Sequence, residues 1–527
     1  MSVSTPFSQT CAKTPLDVEQ GSPNVSVTLK RAEPWIYSLT GGLLILAFAA
    51  CVPSINWAGD FWEHSAVVRE LAVHPWNPSH PQFYSDDPHQ FYSPYALTVG
   101  LLSRWTGLNA IEALGMAGVL NGILLLVTFR PFVRTMTGDT RNATLALLLT
   151  LGLWGVGPWA WSGFLHWEVI GLVLPYPSAF ATALAFLSVI WFANYVESGR
   201  SLALTLAVSV AVVATLTHPP TAAALAIILL AVRLGSGPLR IGRRDWPLIP
   251  AAGLGLVALT LWPYFPFWDL AFADSANRRE FHAVCLDLYE RIIIRSFPVF
   301  VVGVPCLLLV SWNRRRPLWL AFLGLMLVYI AGWYTGLWQL GRMMPWIALM
   351  LHLAAAEWIS TRFFADDCES PRWLSRPLLA SGVMVALIGC AVVNKLPQRL
   401  QELTQPVPPS YVAYAEIGRL MTADDVVLGD RWSSWVIPTF GGRGVAAQHA
   451  QAFVPDHAER RADLLEFMSP ETGPERRSEI AQQYHADYIL LKQDADDVPA
   501  DLVPQLLALG QPVAEIDSLL LIRIGPN

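Results

Sequence analysis

The chain has 527 residues, of which 54% are hydrophobic and only 14% charged, with a mean hydropathy of +0.41. Soluble domains run near a quarter charged, so this deficit, together with apolar runs about twenty residues long, indicates a polytopic membrane protein. The net charge of −6 comes with no basic footprint, which excludes nucleic acid as a partner. Cys11, Cys51, Cys285, Cys306, Cys368 and Cys390 are scattered and form neither a disulfide framework nor a metal motif.

Residues 1–33 are rich in Ser, Thr, Pro and charge without apolar period, and read as a disordered tail with no cleavable leader. The first apolar span, 35–57, then doubles as an anchor. Further spans read at 110–130, 142–162, 172–195, 201–217, 219–234, 247–265, 296–312, 317–337, 343–360 and 377–394, which makes about eleven in a membrane part covering 34–394. Thr217-His-Pro-Pro220 breaks two of them into a hairpin. Tryptophans at span ends, such as Trp57, Trp262, Trp312 and Trp338, fit an interfacial belt.

Alternate short loops carry Arg130, Arg134 and Arg141, then Arg200, then Arg233, Arg240, Arg243 and Arg244, then Arg314–Arg316, then Arg362, Arg372 and Arg376. They share a side with Lys30 and Arg31, so the N-terminus is expected in the cytoplasm of a plasma (inner) membrane. Three sizeable pieces then fall outside: loop 58–108, loop 266–295 and the tail 395–527. The tail has ordinary soluble composition. Strands are expected at 426–429, 444–447, 487–491 and 519–524, and helices at 456–468 and 474–485, giving a small extracytoplasmic α/β domain. Gly441-Gly-Arg-Gly444 lacks a P-loop Lys and reads as a tight turn.

The densest polar stretch follows the first span directly: Gly59-Asp-Phe-Trp-Glu-His64, on to Tyr84-Ser-Asp-Asp-Pro88 and Phe91-Tyr-Ser-Pro-Tyr95. Asp60 either ends a helix or acts as a base or cation ligand at a water-poor rim. Helical spacing puts Asp60, Glu63 and His64 on one face, and Asp60 with His64 at i,i+4 suits one shared proton or one metal. Asp86 and Asp87 read either as an Asx-turn before Pro88 or as a second acidic position. Tyr84 and the aromatics after it either line a sugar-sized pocket or lie on the bilayer. His166 and Glu168 stand in a Trp-rich outer loop, where Trp serves either sugar stacking or anchoring. Arg342, with Gln339 beside it, sits in a thin apolar hairpin. An Arg there calls for an anion, either a lipid headgroup or a lipid-linked phosphate.

The Gly-Asp-Phe-Trp-Glu-His stretch, the Ser-Asp-Asp-Pro and Phe-Tyr-Ser-Pro-Tyr that follow, the late Arg342 and the tail motifs Val427-Leu-Gly-Asp430 and Tyr488-Ile-Leu-Leu491 together resemble the GT-C membrane glycosyltransferases, in layout over the whole length. The resemblance implies a polyprenyl-phosphate-linked sugar donor, a glycan, lipid or protein acceptor on the outer face, and inverting transfer. Asp60 would be the first-loop catalytic carboxylate, Asp86 or Asp87 the second acidic position and Arg342 the donor-phosphate contact. No Asp-x-Asp stands in the first loop, so metal ligands stay unassigned, with a divalent cation such as Mg or Mn a candidate cofactor. A flippase for a lipid-linked sugar or a non-catalytic scaffold are the rival readings. Spans nearly free of internal charge favour the enzyme.

Overall fold

The computed structural model describes residues 25–52, 60–237, 242–272, 276–310, 312, 315–363, 376–394, 409–446, 451–496 and 498–525. Among them, six helices are long and apolar enough to cross a membrane: Ala32–Ala50, Ala110–Thr137, Pro177–Ser198, Ile292–Leu309, Arg316–Thr335 and Trp338–Arg362. Four shorter apolar helices accompany them: Ser201–Thr217, Pro219–Gly235, Leu248–Thr260 and Ser381–Val393. In chain order the helices used below are α1 (Val25–Cys51), α2 (Phe61–Val73), α3 (Pro94–Thr106), α4 (Ala110–Thr137), α5 (Ala143–Gly152), α6 (Ile170–Val173), α7 (Pro177–Ser198), α8 (Ser201–Thr217), α9 (Pro219–Gly235), α10 (Leu248–Thr260), α11 (Phe267–Phe272), α12 (Ala276–Ala283), α13 (Ile292–Leu309), α14 (Arg316–Thr335), α15 (Met344–Phe363) and α16 (Arg376–Val393).

Local chemistry sets their ends. Asn109 and Glu112 form a reciprocal capping box on α4, and Gly138 in the left-handed region closes it. His218 ends α8 and begins α9, because Pro219 and Pro220 cannot continue the first helix but fit the first turn of the second. α15 is the hub. Leu349 to Ala356 along it are all buried, and the small side chains of its Ala354–Ala356 run permit close neighbours. Gly303 of α13 does the same from the other side, since a Cβ there would come within 2.6 Å of the Leu351 Cβ.

The span expected over 142–162 is corrected: α5 stops at Gly152, and residues 153–169 leave the helix as a tryptophan-rich loop. The reason is local. Gly152, Gly155, Gly157 and Pro158 weaken the helix, and the freed amides of Gly155 and Val156 donate to the carbonyls of Arg295 (2.9 Å) and Ile294 (3.0 Å).

The C-terminal segment forms a mixed sheet from β1 (Val426–Gly429), β2 (Arg443–Gly444), β3 (Tyr488–Lys492), β4 (Gly510–Ile516) and β5 (Leu519–Ile524), in the order β2-β1-β3-β5-β4. β1 pairs in parallel with β2 and β3, and β5 runs antiparallel to β3 and β4. Period-two alternation splits the apolar residues. Val426, Leu428, Ile489, Leu491, Leu520 and Ile522 pack under the helices His457–Phe467, Pro474–Gln483 and Leu502–Leu507. Val427, Leu490, Leu519 and Leu521 join the core that runs into the helical bundle.

A seam joins the first loop to this sheet. Gly444 N donates to Gln82 O (2.7 Å) and Tyr84 N to Gly444 O (3.3 Å), so residues 82–84 extend the β2 edge. Arg443 meets Glu70 of α2 at 3.3 Å, Arg69 donates to Pro438 O at 2.8 Å, and Trp62 packs on Tyr411 and Phe440. The Gly441-Gly442 pair is a turn against the Gly418 backbone, with Gly442 at φ +69°.

Gly155 is the tightest test of the shortened α5. A Cβ there would run into the Ile294 carbonyl. Gly155→Ala is expected to destabilise the protein by about 1–3 kcal/mol, read as a lower melting temperature in detergent. An unchanged melting temperature would contradict the packing described.

Candidate functional site

Asp60 occupies the N-cap position of α2 but its side chain does not cap the helix. The carboxylate is exposed at the positive end of the helix, where a negative charge is favoured. Its charge reaches the Tyr176 hydroxyl and the Cys285 thiol. One turn on, His64 is buried, stacked on Phe91 at 4.5 Å and edge-on to Tyr176 at 5.0 Å. Burial pulls its pKa down to about 4, against the smaller opposing pull of Glu63, so the ring is neutral at pH 7.

Arg342 approaches from the other side. It lies in the 3-10 turn Trp338–Met343 that leads into α15. Its Nη1 donates to the Ser162 carbonyl (3.1 Å) and hydroxyl (2.7 Å), and its guanidinium lies over the Trp161 ring at 4.4 Å. Its positive charge also bears on the Cys285 thiol. The plate beneath it is fixed in turn. Trp161 Nε1 donates to Asp287 Oδ2 (2.8 Å), Trp159 Nε1 to the Asp287 carbonyl (2.8 Å), and Arg295 pairs with Asp287 at 3.0 Å. Loop 153–169, the 3-10 turn Val284–Tyr289 and the Arg342 turn therefore interlock.

Cys285 ties the two halves together. It is 3% exposed, and burial pushes its thiol up, with Arg342 opposing and Asp60 adding to the rise. The charges of Asp60 and Arg342 thus both bear on the Cys285 thiol, in opposite senses. His218 joins them: its charge environment contains both Arg342 and His64, and burial draws it down to about 3.

The other candidates lie elsewhere. Glu63 is buried and accepts from His89 Nε2 (3.2 Å) and Gln451 Nε2 (3.0 Å). Burial alone would raise its carboxyl, but these donors outweigh burial and hold it below the usual carboxylate range. Asp87 accepts the Ser85 hydroxyl at 2.6 Å and its own amide donates to Ser85 Oγ, a local turn; Asp86 is exposed beside it. Tyr84 meets His485 and its carbonyl accepts from Arg460 at the seam. His166 is buried against Trp154 and Phe164 and bonds the Trp159 carbonyl at 3.0 Å. Glu168 is half-buried beside Ala391 and Asn394 at the end of α16. Gln339 shares the Arg342 turn. A groove of about 610 Å³ lies around Glu475, Ser478 and His485, and of these candidates only Tyr84 borders it, through His485.

So the charges of Asp60 and Arg342 both reach Cys285 and those of Arg342 and His64 both reach His218, while Glu63, Tyr84, Asp86, Asp87 and His166 serve the seam and the tryptophan loop. Sequence reasoning did not single out His218, Cys285, Tyr176, Trp161 or Asp287. Only His218 left a signal, in the Thr-His-Pro-Pro punctuation. Among the described residues, no group of three or more His, Cys, Asp or Glu has the spacing to hold a metal. Glu63 and His64 are committed to other partners, and no step below runs through a cation.

No protein-family model matches the chain, and a search of curated proteins finds no significant match. Solved structures do match. ArnT from Cupriavidus metallidurans in the apo state aligns with a TM-score of 0.55 at 14% identity, over 94% of this chain and 100% of that one. The same protein bound to undecaprenyl phosphate gives 0.55 at 13% identity, over 93% and 99%. The arabinofuranosyltransferase AftD from Mycobacteria gives 0.57 at 13% identity, over 94% of this chain but 40% of its own. This chain shares the fold of these structures.

The buried neutral histidines make acid stability testable. In the unfolded chain each titrates near 6.5, whereas His64 and His166 in the fold titrate at about 4. Between those values the unfolded state binds more protons. The stabilisation is therefore complete above pH about 6.5 and is lost as pH falls towards 4. Melting in detergent from pH 7.5 to 4.5 is expected to show that fall, and a flat profile would contradict it.

Proposed function

We propose that this chain is an integral-membrane glycosyltransferase that takes a sugar from a polyprenyl-phosphate donor and passes it to a hydroxyl acceptor at the outer face of the plasma membrane. The reading rests on Asp60 at the head of α2 and Arg342 seated on Trp161, whose charges both bear on Cys285, in a fold shared with ArnT and AftD. ArnT is known bound to undecaprenyl phosphate and AftD is an arabinofuranosyltransferase, so the fold houses both a lipid phosphate and sugar transfer. The arginine-bearing loops put the N-terminus in the cytoplasm and the site and C-terminal sheet outside. The acceptor is a glycan, a lipid or a protein.

Asp60 takes the proton of the acceptor hydroxyl as that oxygen bonds to the anomeric carbon from the face opposite the phosphate. The carbon–oxygen bond to phosphate breaks, its electron pair leaves with the phosphate, and the anomeric centre inverts. Arg342, held flat on Trp161, meets the growing charge with two donors. His64, neutral and stacked on Phe91, adds no second charge beside Asp60. Glu63 takes no part in proton transfer: paired with His89 and Gln451, it holds α2 in place. Asp86 and Asp87 act in the seam turn.

Sugar transfer from a labelled polyprenyl-phosphate donor pool in membranes tests this. Asp60→Asn keeps the size and removes the base, and is expected to lower transfer about 10²–10⁴-fold at equal protein level. Arg342→Lys keeps the charge but loses the planar fork, and is expected to cost about 10-fold or more. Transfer undiminished in Asp60→Asn would remove the base from this position, and transfer by neither protein from any donor would favour a flippase.

A further inference from the structure

His218 is the group at this site that the reaction above does not use. It begins α9, a helix of 17 residues that packs against the Arg342 turn. The start of a helix presents free N–H groups and a partial positive charge, which suit an anion. Here those backbone donors are withdrawn. Pro219 and Pro220 have none, the Thr221 amide donates to His218 Nδ1 at 3.3 Å, and the Ala222 amide donates to the His218 carbonyl at 3.3 Å.

Nδ1 also lies 2.8 Å from the Thr221 hydroxyl; with Nδ1 accepting from both that hydroxyl and the Thr221 amide, a neutral imidazole carries its proton on Nε2. Among the described residues nothing accepts from Nε2, and Arg342 and His64 are the groups whose charge reaches the ring. The helix end therefore offers one outlet for a hydrogen bond, and it is this imidazole N–H, beside a guanidinium.

We infer that His218 is a second contact to the donor phosphate, its Nε2–H donating to a phosphate oxygen alongside Arg342 while Nδ1 stays locked on the α9 amide. The inference rests on the reading of Arg342 as a phosphate contact. A neutral donor suits a single phosphate ester. It adds a directed hydrogen bond without a second full charge, so the phosphate can leave after transfer. Ring burial keeps the imidazole neutral, and the donor available, across the physiological range.

Two substitutions separate this role from capping. His218→Asn keeps an excellent N-cap but cannot reach as far as Nε2. His218→Gln carries an amide N–H out to the Nε2 position but gives up the cap. The measurement is binding of undecaprenyl phosphate to the full chain in detergent, followed by tryptophan fluorescence, with neutral undecaprenol and phosphatidylglycerol as comparison lipids and melting temperature recorded in parallel. Wild type is expected to prefer undecaprenyl phosphate over both. His218→Asn is expected to melt like wild type and bind undecaprenyl phosphate about 10-fold more weakly or worse, with undecaprenol binding unchanged. His218→Gln is expected to bind within about 3-fold of wild type despite a lower melting temperature. The opposite pattern, with Asn binding normally and Gln failing, would make His218 a cap and overturn the inference while leaving Arg342 in its role. A wild type with no preference for the phosphate would overturn the reading of Arg342 and this inference together.

Discussion

A buried carboxylate is tolerated only where donors surround it, and α2 carries two. Glu63 and Glu70 are each 2% exposed. Leaving such a charge unpaired costs several kcal/mol, so the chain must bring partners from elsewhere. Gln451 reaches Glu63 and Arg443 reaches Glu70, both from the C-terminal segment, while His89, His74 and the Ser79 amide complete the shells from the first loop. α2 is therefore clamped between the helical bundle and the sheet. Asp60, at the head of that helix, inherits its position.

The site that results is electrostatically spare. Arg342 is seated on Trp161 by dispersion and cation–π attraction and held by Ser162. His64 and His218 beside it are neutral through burial. With these two histidines uncharged, Arg342 acts on an arriving anion without a second cation from them.

Much of the fold was legible from local pattern. The α8–α9 hairpin followed from His-Pro-Pro, and β1, β3 and β5 from short apolar runs that the sheet buries on both faces. What failed was also local in cause. The apolar run over 142–162 looked like one span because hydropathy does not weigh the glycines that end α5. β4 was missed because it is an edge strand with a largely exposed Gly-Gln-Pro-Val-Ala-Glu-Ile sequence. In the site, Asp60 and Arg342 stood out because a charge beside an apolar span demands a reason. Glu63 looked equally eligible from its spacing, but its partner Gln451 lies 388 residues away, which no local pattern reveals. His218 read only as punctuation, since its neighbours Arg342 and His64 come from distant turns of the chain.

The central claim is that Asp60 and Arg342 face one another across a single lipid-phosphate site. A cryo-electron microscopy structure of the full chain with undecaprenyl phosphate tests it most directly. The account predicts the phosphate within hydrogen-bond distance of Arg342, over the Trp161 ring, with the Asp60 carboxylate bordering the same space. A phosphate seated instead in the groove around Glu475 and His485, or at the arginines of the opposite loops, would contradict it.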